Sequence, residues 1–443
     1  MKRLRGMIFV AALGLVPASA TAQMAAPAPS AQAQINGREV VAAVRQLLNS
    51  HYVLPDVRPK LDAALAKGLA DGHYDVADPN ELAKRIDADL HQVTPDKHLG
   101  VMFDPERSKA LAAAGPNVDA DDPPPTPDDI REAVRRNHGI SELKILPGNV
   151  RYMRYDGFVL AGPKTAEALD TAMRFLRDGD AAIIDLRGNG GGSPEAVQYL
   201  VSHFLAPKQK IVTFYMGGKP AESFSTLASL PTARMVGKPL YVLTSGGTAS
   251  AAEEFTGHVA GFKLGELIGE NTAGAGFRNN FYPLPDGMII SISVGRAVLA
   301  STGKDWEGVG FAPNTKVDVD KALDVAEVHA WRKLAATATG DDKRLLDAQA
   351  ALLEAKTNPV ATALPLAAYA GTYGERTVSL SGSGLVWQRG TNPKITMVPI
   401  GANEFTFDDD PTTRIRFDVA GGSVTGLHML RGDGSTLDAQ RAQ

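Results

Sequence analysis

Twice in the middle of this 443-residue chain an apolar, strand-like run breaks at a glycine turn and restarts as a helix. The first instance is Ile183-Ile184-Asp185-Leu186-Arg187-Gly188-Asn189-Gly190-Gly191-Gly192-Ser193-Pro194. The second is Leu243-Thr244-Ser245-Gly246-Gly247-Thr248-Ala249-Ser250-Ala251-Ala252-Glu253-Glu254-Phe255. The segments around these turns alternate in the same way. Strands are expected at 150–155, 181–186, 211–215, 240–244, 265–269 and 288–294, and helices at 164–178, 193–205 and 251–260. Such alternation predicts an α/β core, assigned to residues 150–318.

The flanks read differently. Asn36 and Glu39 can cap a helix carrying Val40, Val41, Val44, Leu47 and Leu48, and a second helix carries Leu61, Ala64, Leu65 and Leu69. Asp78-Pro79-Asn80-Glu81 supplies a cap, a first-turn proline and a capping carboxylate before Leu82, Ile86 and Leu90. Residues 36–105 are therefore expected to form a helical N-terminal domain. Residues 106–149 are expected to be a linker region, because Asp119 to Asp129 packs three consecutive prolines among five aspartates. Ala- and Leu-rich residues 319–357 suggest a connecting helical arm. From 358 to 443, Gly-rich turns separate runs of period two such as Phe405-Thr406-Phe407, as in a small β domain.

At the N-terminus Lys2, Arg3 and Arg5 precede the apolar run Met7 to Val16 and the small residues Ala18 to Ala22, the pattern of a secretory signal peptide over 1–22. An Ala/Pro/Gln-rich leader follows over 23–35. The expected location is periplasmic or secreted. No stretch approaches the roughly 20 apolar residues of a membrane span. Loss of the three N-terminal cations takes the net charge from −4 to −7, so nucleic acid is not an expected partner. With no cysteine in the chain, disulfides, thiol nucleophiles and Cys metal ligands are excluded.

Local chemistry alone leaves the two turns open. Ser250 stands at a helix start, where the dipole and unpartnered amides can activate a hydroxyl and stabilise an oxyanion. Serine at such a place is also an ordinary cap. The first turn is not a dinucleotide fingerprint, since G-x-G-x-x-G ends in Ser193 and Lys208 and Gln209 stand where a ribose-binding acid belongs. Ser141-Glu142-Leu143-Lys144 and Ser301-Thr302-Gly303-Lys304 match S-x-x-K without the S-D-N and K-T-G elements that give it meaning. H-E-x-x-H, G-x-S-x-G and phosphate-loop motifs are absent, so no metal or cofactor is expected.

Taken together, five ordered motifs between about 36 and 318 resemble the C-terminal processing (tail-specific) serine peptidase family, in its tricorn-like and interphotoreceptor retinoid-binding-protein-like branch. They are Asp96-Lys97-His98-Leu99-Gly100, Leu146-Pro147-Gly148-Asn149-Val150 with Tyr152, Asp185-Leu186-Arg187 with Gly190-Gly191-Gly192, Thr244-Ser245 with Thr248 to Glu253, and Trp306-Glu307-Gly308-Val309-Gly310. The resemblance implies a crotonase-like α/β core and hydrolysis of peptides or protein C-terminal tails through an acyl-enzyme. It further implies Ser250 as nucleophile, His98 as general base and Glu307 as the group orienting that base. The oxyanion hole would come from the amides of Ala251 and of the turn holding Gly190 and Gly191.

Two departures narrow the reading. Where the lysine branch places its base, about 25 residues after the serine, this chain has Ala275, and residues 104–150 are too few for that branch's PDZ domain. Lys97 replaces the extra serine that tricorn-like members can carry beside the histidine. A rival expectation is a non-catalytic carrier of retinoid-like or other apolar ligands on the same fold.

Overall fold

The structure, a computed structural model, describes residues 35–114, 127–159 and 162–442. The expected signal peptide, nearly all of the leader and the Asp/Pro-rich run up to residue 126 lie outside the described residues. Helices α1 (Gly37–His51), α2 (Arg58–Ala70) and α3 (Pro79–His91) come first, followed by β1 (Gly100–Phe103), α4 (Pro105–Ala114), α5 (Pro127–Arg135), β2 (Ile140–Leu146) and β3 (Val150–Tyr155). Then come α6 (Pro163–Arg177), β4 (Ala181–Asp185), α7 (Pro194–Ser202), β5 (Lys210–Met216), β6 (Lys219–Ser225), β7 (Leu240–Thr244), α8 (Ala251–Gly261) and β8 (Glu266–Gly269). The remainder is β9 (Phe277–Pro283), β10 (Met288–Leu299), β11 (Thr315–Lys316), α9 (Ala322–Ala335), α10 (Gly340–Thr357) and eight strands from β12 (Gly371–Tyr373) to β19 (Thr436–Gln440).

Helices α1 and α3 start where their side-chain caps stand, whereas α2 starts without one. Asn36 Oδ1 accepts the Glu39 N–H at 3.3 Å, and Asp78 Oδ1 accepts that of Asn80 at 2.8 Å. Their apolar faces share one core with Met288, Ile290 and Ile292 of β10. β1 leaves this helical part and pairs antiparallel with β10, from Gly100 opposite Ser291 to Phe103 opposite Met288. The Val53 N–H donates to Ser293 O at 2.7 Å and ties the same junction. The helices are thus sewn onto a sheet ordered β1-β10-β5-β6, with β9 also on β10.

A second sheet, ordered β11-β8-β7-β4-β3-β2, carries the parallel strands β3, β4, β7 and β8. Its central strands β4 and β7 are buried along their whole length, as expected when both faces are covered. One face packs Ile184 and Val242 with Leu169, Met173, Val197, Leu200 and Phe255 of α6, α7 and α8. The other face packs Tyr152, Ile183, Leu243 and Ile268 under Ala322, Ala326, Ala330 and Trp331 of α9.

Residues 319–357, expected as a connecting helical arm, hold α9 and α10; α9 covers the parallel sheet, and its small alanines let it lie close to the strands. The 106–149 region holds more than linker, since β2 lies within it and forms the antiparallel edge of that sheet through Leu146 opposite Val150. The strands at the C-terminal end run as an antiparallel meander from β12 to β19. A bridge between Tyr373 and Arg441, with the Ala442 N–H donating to Thr372 O at 2.8 Å, brings the two edges together as a barrel.

Candidate active site

Both glycine turns sit at the carboxyl ends of adjacent parallel strands, β4 and β7, where open α/β sheets leave a crevice. They are bonded to each other. The Ala249 N–H donates to Asn189 O at 3.0 Å, and the Thr248 hydroxyl to Leu186 O at 2.8 Å. Asn189 is fully buried; its side-chain amide donates to Tyr155 O at 2.8 Å, and its Oδ1 accepts the Gly191 N–H at 2.9 Å. Beneath them Asp185 holds Arg187 through two oxygens at 2.9 and 2.6 Å and accepts the Tyr152 hydroxyl at 2.7 Å. Burial alone would raise the Asp185 carboxyl, but these bonds outweigh it and hold the group below its ordinary range.

Ser250 is the last residue before α8 and has φ of +53°, a left-handed value that a non-glycine residue rarely adopts. Glu253, one turn into the helix and fully buried, secures that turn. Its Oε2 accepts the N–H groups of Ser250 (3.1 Å) and Ala275 (2.7 Å), and its Oε1 accepts that of Gly274 (2.7 Å) and the Thr272 hydroxyl (2.6 Å). One carboxylate therefore fixes the Ser250 turn to the 272–275 loop. Ala251, as the first residue of α8, has an N–H without an intrahelical acceptor.

A cleft of about 730 Å³ opens beside Ser250 and is lined by His98, Gly190, Gly192, Ala251 and Ala275, with Phe158, Phe214, Phe277 and Trp306 as its apolar wall. His98 reaches it from the turn between α3 and β1, carried there by the pairing of β1 with β10. Burial pushes the imidazole below its ordinary pKa, against the attraction of Asp96 and Glu253, and so favours the neutral form that can accept a proton. Asp96, His98 and Glu307 each present a polar atom within 4.8 Å of the others. Glu307 is anchored by the N–H groups of Gly276 and Phe277, which donate to its Oε2 at 2.6 and 2.9 Å. Its pKa is pushed up to about 7 by burial and by Asp96, with Glu253 adding to the effect and the two N–H bonds opposing it.

The sequence-derived residues Ser250, Ala251, His98 and Gly190 thus line one cleft, with Glu307 close behind His98. Gly191 is corrected. Its N–H is already given to Asn189, and a Cβ there would lie 2.7 Å from Ser250 Cβ, so its place is a backbone contact between the two turns and not a free donor. Asp96, Asn189 and Glu253 were not assigned roles from the sequence. Two signals mark Glu253: it ends the Thr248 to Glu253 motif, and it stands three residues after a helix-start serine, the capping-box spacing.

Residues 149–317 match peptidase family S41, and residues 32–139 match the N-terminal domain of peptidase S41 in eukaryotic IRBP. The carboxy-terminal processing protease CtpB of Bacillus subtilis is 28% identical over 157 residues, 35% of this chain and 31% of that protein. Carboxyl-terminal-processing peptidase 2, chloroplastic, of Arabidopsis thaliana is 31% identical over 190 residues, 42% of this chain and 36% of that protein. The chain therefore matches about a third of the length of these relatives. The solved structure of a photosystem II D1 C-terminal processing protease overlaps 65% of this chain and 94% of that one, at 17% identity and a TM-score of 0.41.

Proposed function

The chain belongs to peptidase family S41 by residues 149–317, and from that premise we propose that it is a serine peptidase acting on peptides or protein C-terminal tails, secreted or periplasmic after removal of residues 1–22. The observation that carries the reading is the arrival of Ser250 and His98, from separate parts of the chain, on the wall of one cleft. In this reading the parallel sheet, the β10 sheet and their helices constitute a crotonase-like core over 150–318, with 36–105 as the helical domain and 358–443 as the β domain.

His98 accepts the proton of the Ser250 hydroxyl as Oγ attacks the scissile carbonyl, and returns it to the leaving amine when the tetrahedral adduct collapses to the acyl-enzyme. Water then repeats the sequence and frees the serine. The N–H groups of Ala251 and Gly190 receive the oxyanion; removing one such donor typically costs about 10²–10³-fold in rate. Glu307 orients the imidazole. Ala275 has no group able to take a proton, so the lysine-type base is ruled out at that position. The aromatic wall of Phe158, Phe214, Phe277 and Trp306 favours an apolar side chain beside the scissile bond.

A fluorophosphonate probe tests the assignment. Ser250 is expected to be labelled, Ser250→Ala to be inert, and His98→Ala to react at least about 10²-fold more slowly while keeping its circular dichroism. Labelling that survives Ser250→Ala, or a well-folded wild type that neither labels nor cleaves any member of a peptide library, would overturn it. In the latter case, uptake of apolar ligands would favour the carrier reading.

A further inference from the structure

At the base of the cleft three buried polar atoms have no hydrogen-bond partner among the described residues: Asp96 Oδ2, His98 Nδ1 and Glu307 Oε1. The remaining oxygens of the two carboxyl groups are engaged. Asp96 Oδ1 accepts the backbone N–H of His98 at 2.9 Å, and Glu307 Oε2 accepts two backbone N–H groups. Around them stand Glu253 from α8 and, on the helical side, Tyr52 and Thr94, whose hydroxyls lie 3.2 Å apart; the Tyr52 hydroxyl also faces Asp96, and burial and the Asp96 charge raise it above its ordinary range. Lys97, the neighbouring cation, spends its ammonium on Ala273 O.

Two carboxylates this close to each other and to a neutral imidazole, with no cation among the described residues acting on Glu307 or His98, repel in a poorly solvated pocket. A single proton relieves the repulsion. It belongs on Glu307 Oε1, because Oε2 already accepts two donors. We propose that Asp96 and Glu307 hold one proton between them, Glu307 Oε1–H donating to Asp96 Oδ2, so that the pair presents one negative charge to the His98 Nδ1–H. Asp96 is then a positioning residue, acting through Glu307 and the imidazole without touching substrate. The pair is a matched set: removing either member changes how the other ionises.

The consequence for catalysis rests on the peptidase reading; the shared proton does not, and infrared difference spectroscopy on the full chain reads it without turnover. Wild type is expected to show the carbonyl stretch of a buried carboxylic acid that disappears as pH rises through about 7. Glu327 on α9 is likewise pushed up to about 7 by burial, so the Glu307 band is read as the wild-type minus Glu307→Gln difference, and in Asp96→Asn that band moves to lower pH by about one unit or more. Asp96→Glu, which keeps the charge, restores the wild-type position. In fluorophosphonate labelling, the same ionisation appears in the wild-type pH profile and moves in Asp96→Asn, whereas a purely structural role would lower the rate equally at every pH. A Glu307 band unmoved in Asp96→Asn, or no such band in the wild-type minus Glu307→Gln difference below pH 7, overturns the proposal. If Asp96→Asn does not fold, the absence of that difference band overturns it equally. Absence of labelling in a wild type that shows the shared proton would instead count against the peptidase reading alone.

Discussion

Glu253 does at the residue scale what no single backbone contact can. It is a buried charge with four donors on two oxygens, and those donors belong to the serine turn and to the loop that leads to the Glu307 contacts. Charge-assisted bonds of this kind are each worth roughly 1.5–3 kcal/mol, and a buried group left unpaired costs as much again. Glu253→Gln replaces one acceptor with a donor facing N–H groups. The expected result is a loss of about 3 kcal/mol in denaturant unfolding, together with slower labelling of Ser250; a variant of wild-type stability would show that the four bonds are not cooperating. Asp185 makes a pH-dependent contribution of known sign. Its folded pKa is depressed, so its stabilisation is present above the ordinary aspartate range and is lost as pH falls through that range. Asp185→Asn should therefore reduce the difference in unfolding free energy between neutral and acidic pH.

At the scale of elements, the two turns are shaped by what each must approach. Gly191 has φ of +109°, and a Cβ on it would stand 2.9 Å from Ala249 O as well as against Ser250. Gly190, its neighbour, has nothing within 4 Å of the same position. Gly191→Ala is expected to cost about 2–4 kcal/mol and to abolish labelling, while Gly190→Ala should leave the melting temperature nearly unchanged. Equal effects from the two substitutions would refute the packing account. The same contrast explains what could be read from sequence. Strand β7 was legible to the residue because a central parallel strand is continuously apolar between turn signals, and β3, with two arginines, through the turn signals on either side of it. Strand β6, Lys219-Pro220-Ala221-Glu222-Ser223-Phe224-Ser225, is an edge with one buried residue and no alternation to detect. Strand β9 is polar in its middle and ends in proline. Ser250 and His98 are singled out by the motifs around them, and Asp96 shares the His98 motif, but its approach to Glu307, like the bond from Asn189 to Tyr155, joins segments far apart in the chain, which no local pattern encodes.

On the scale of the whole molecule, the helical part and the barrel stand in opposite relations to the cleft. The helices share a core with β10 and deliver His98, so they cannot be removed without removing that imidazole from the cleft. The barrel closes on itself around its own aromatic interior of Tyr369, Tyr373, Trp387, Phe405 and Phe417. None of the cleft-lining residues comes from it. Among the described residues its polar ties to α10 include Arg344, which donates to Gly432 O at 3.0 Å, and Lys356, which pairs with Asp408, and α10 also lies beside β15. Such polar, partly exposed ties are individually worth about 0–1 kcal/mol, too little to couple barrel unfolding to the cleft. A chain ending at residue 357 is therefore expected to keep fluorophosphonate labelling of Ser250 within about twofold of the full chain, an energy difference below roughly 0.5 kcal/mol. The full chain should then show two calorimetric transitions, one of them lost with the barrel. A truncated chain that retains its circular dichroism but no longer labels would instead mean that the barrel supports the cleft through α10 and the α9 lid, and that the three parts act as one cooperative unit.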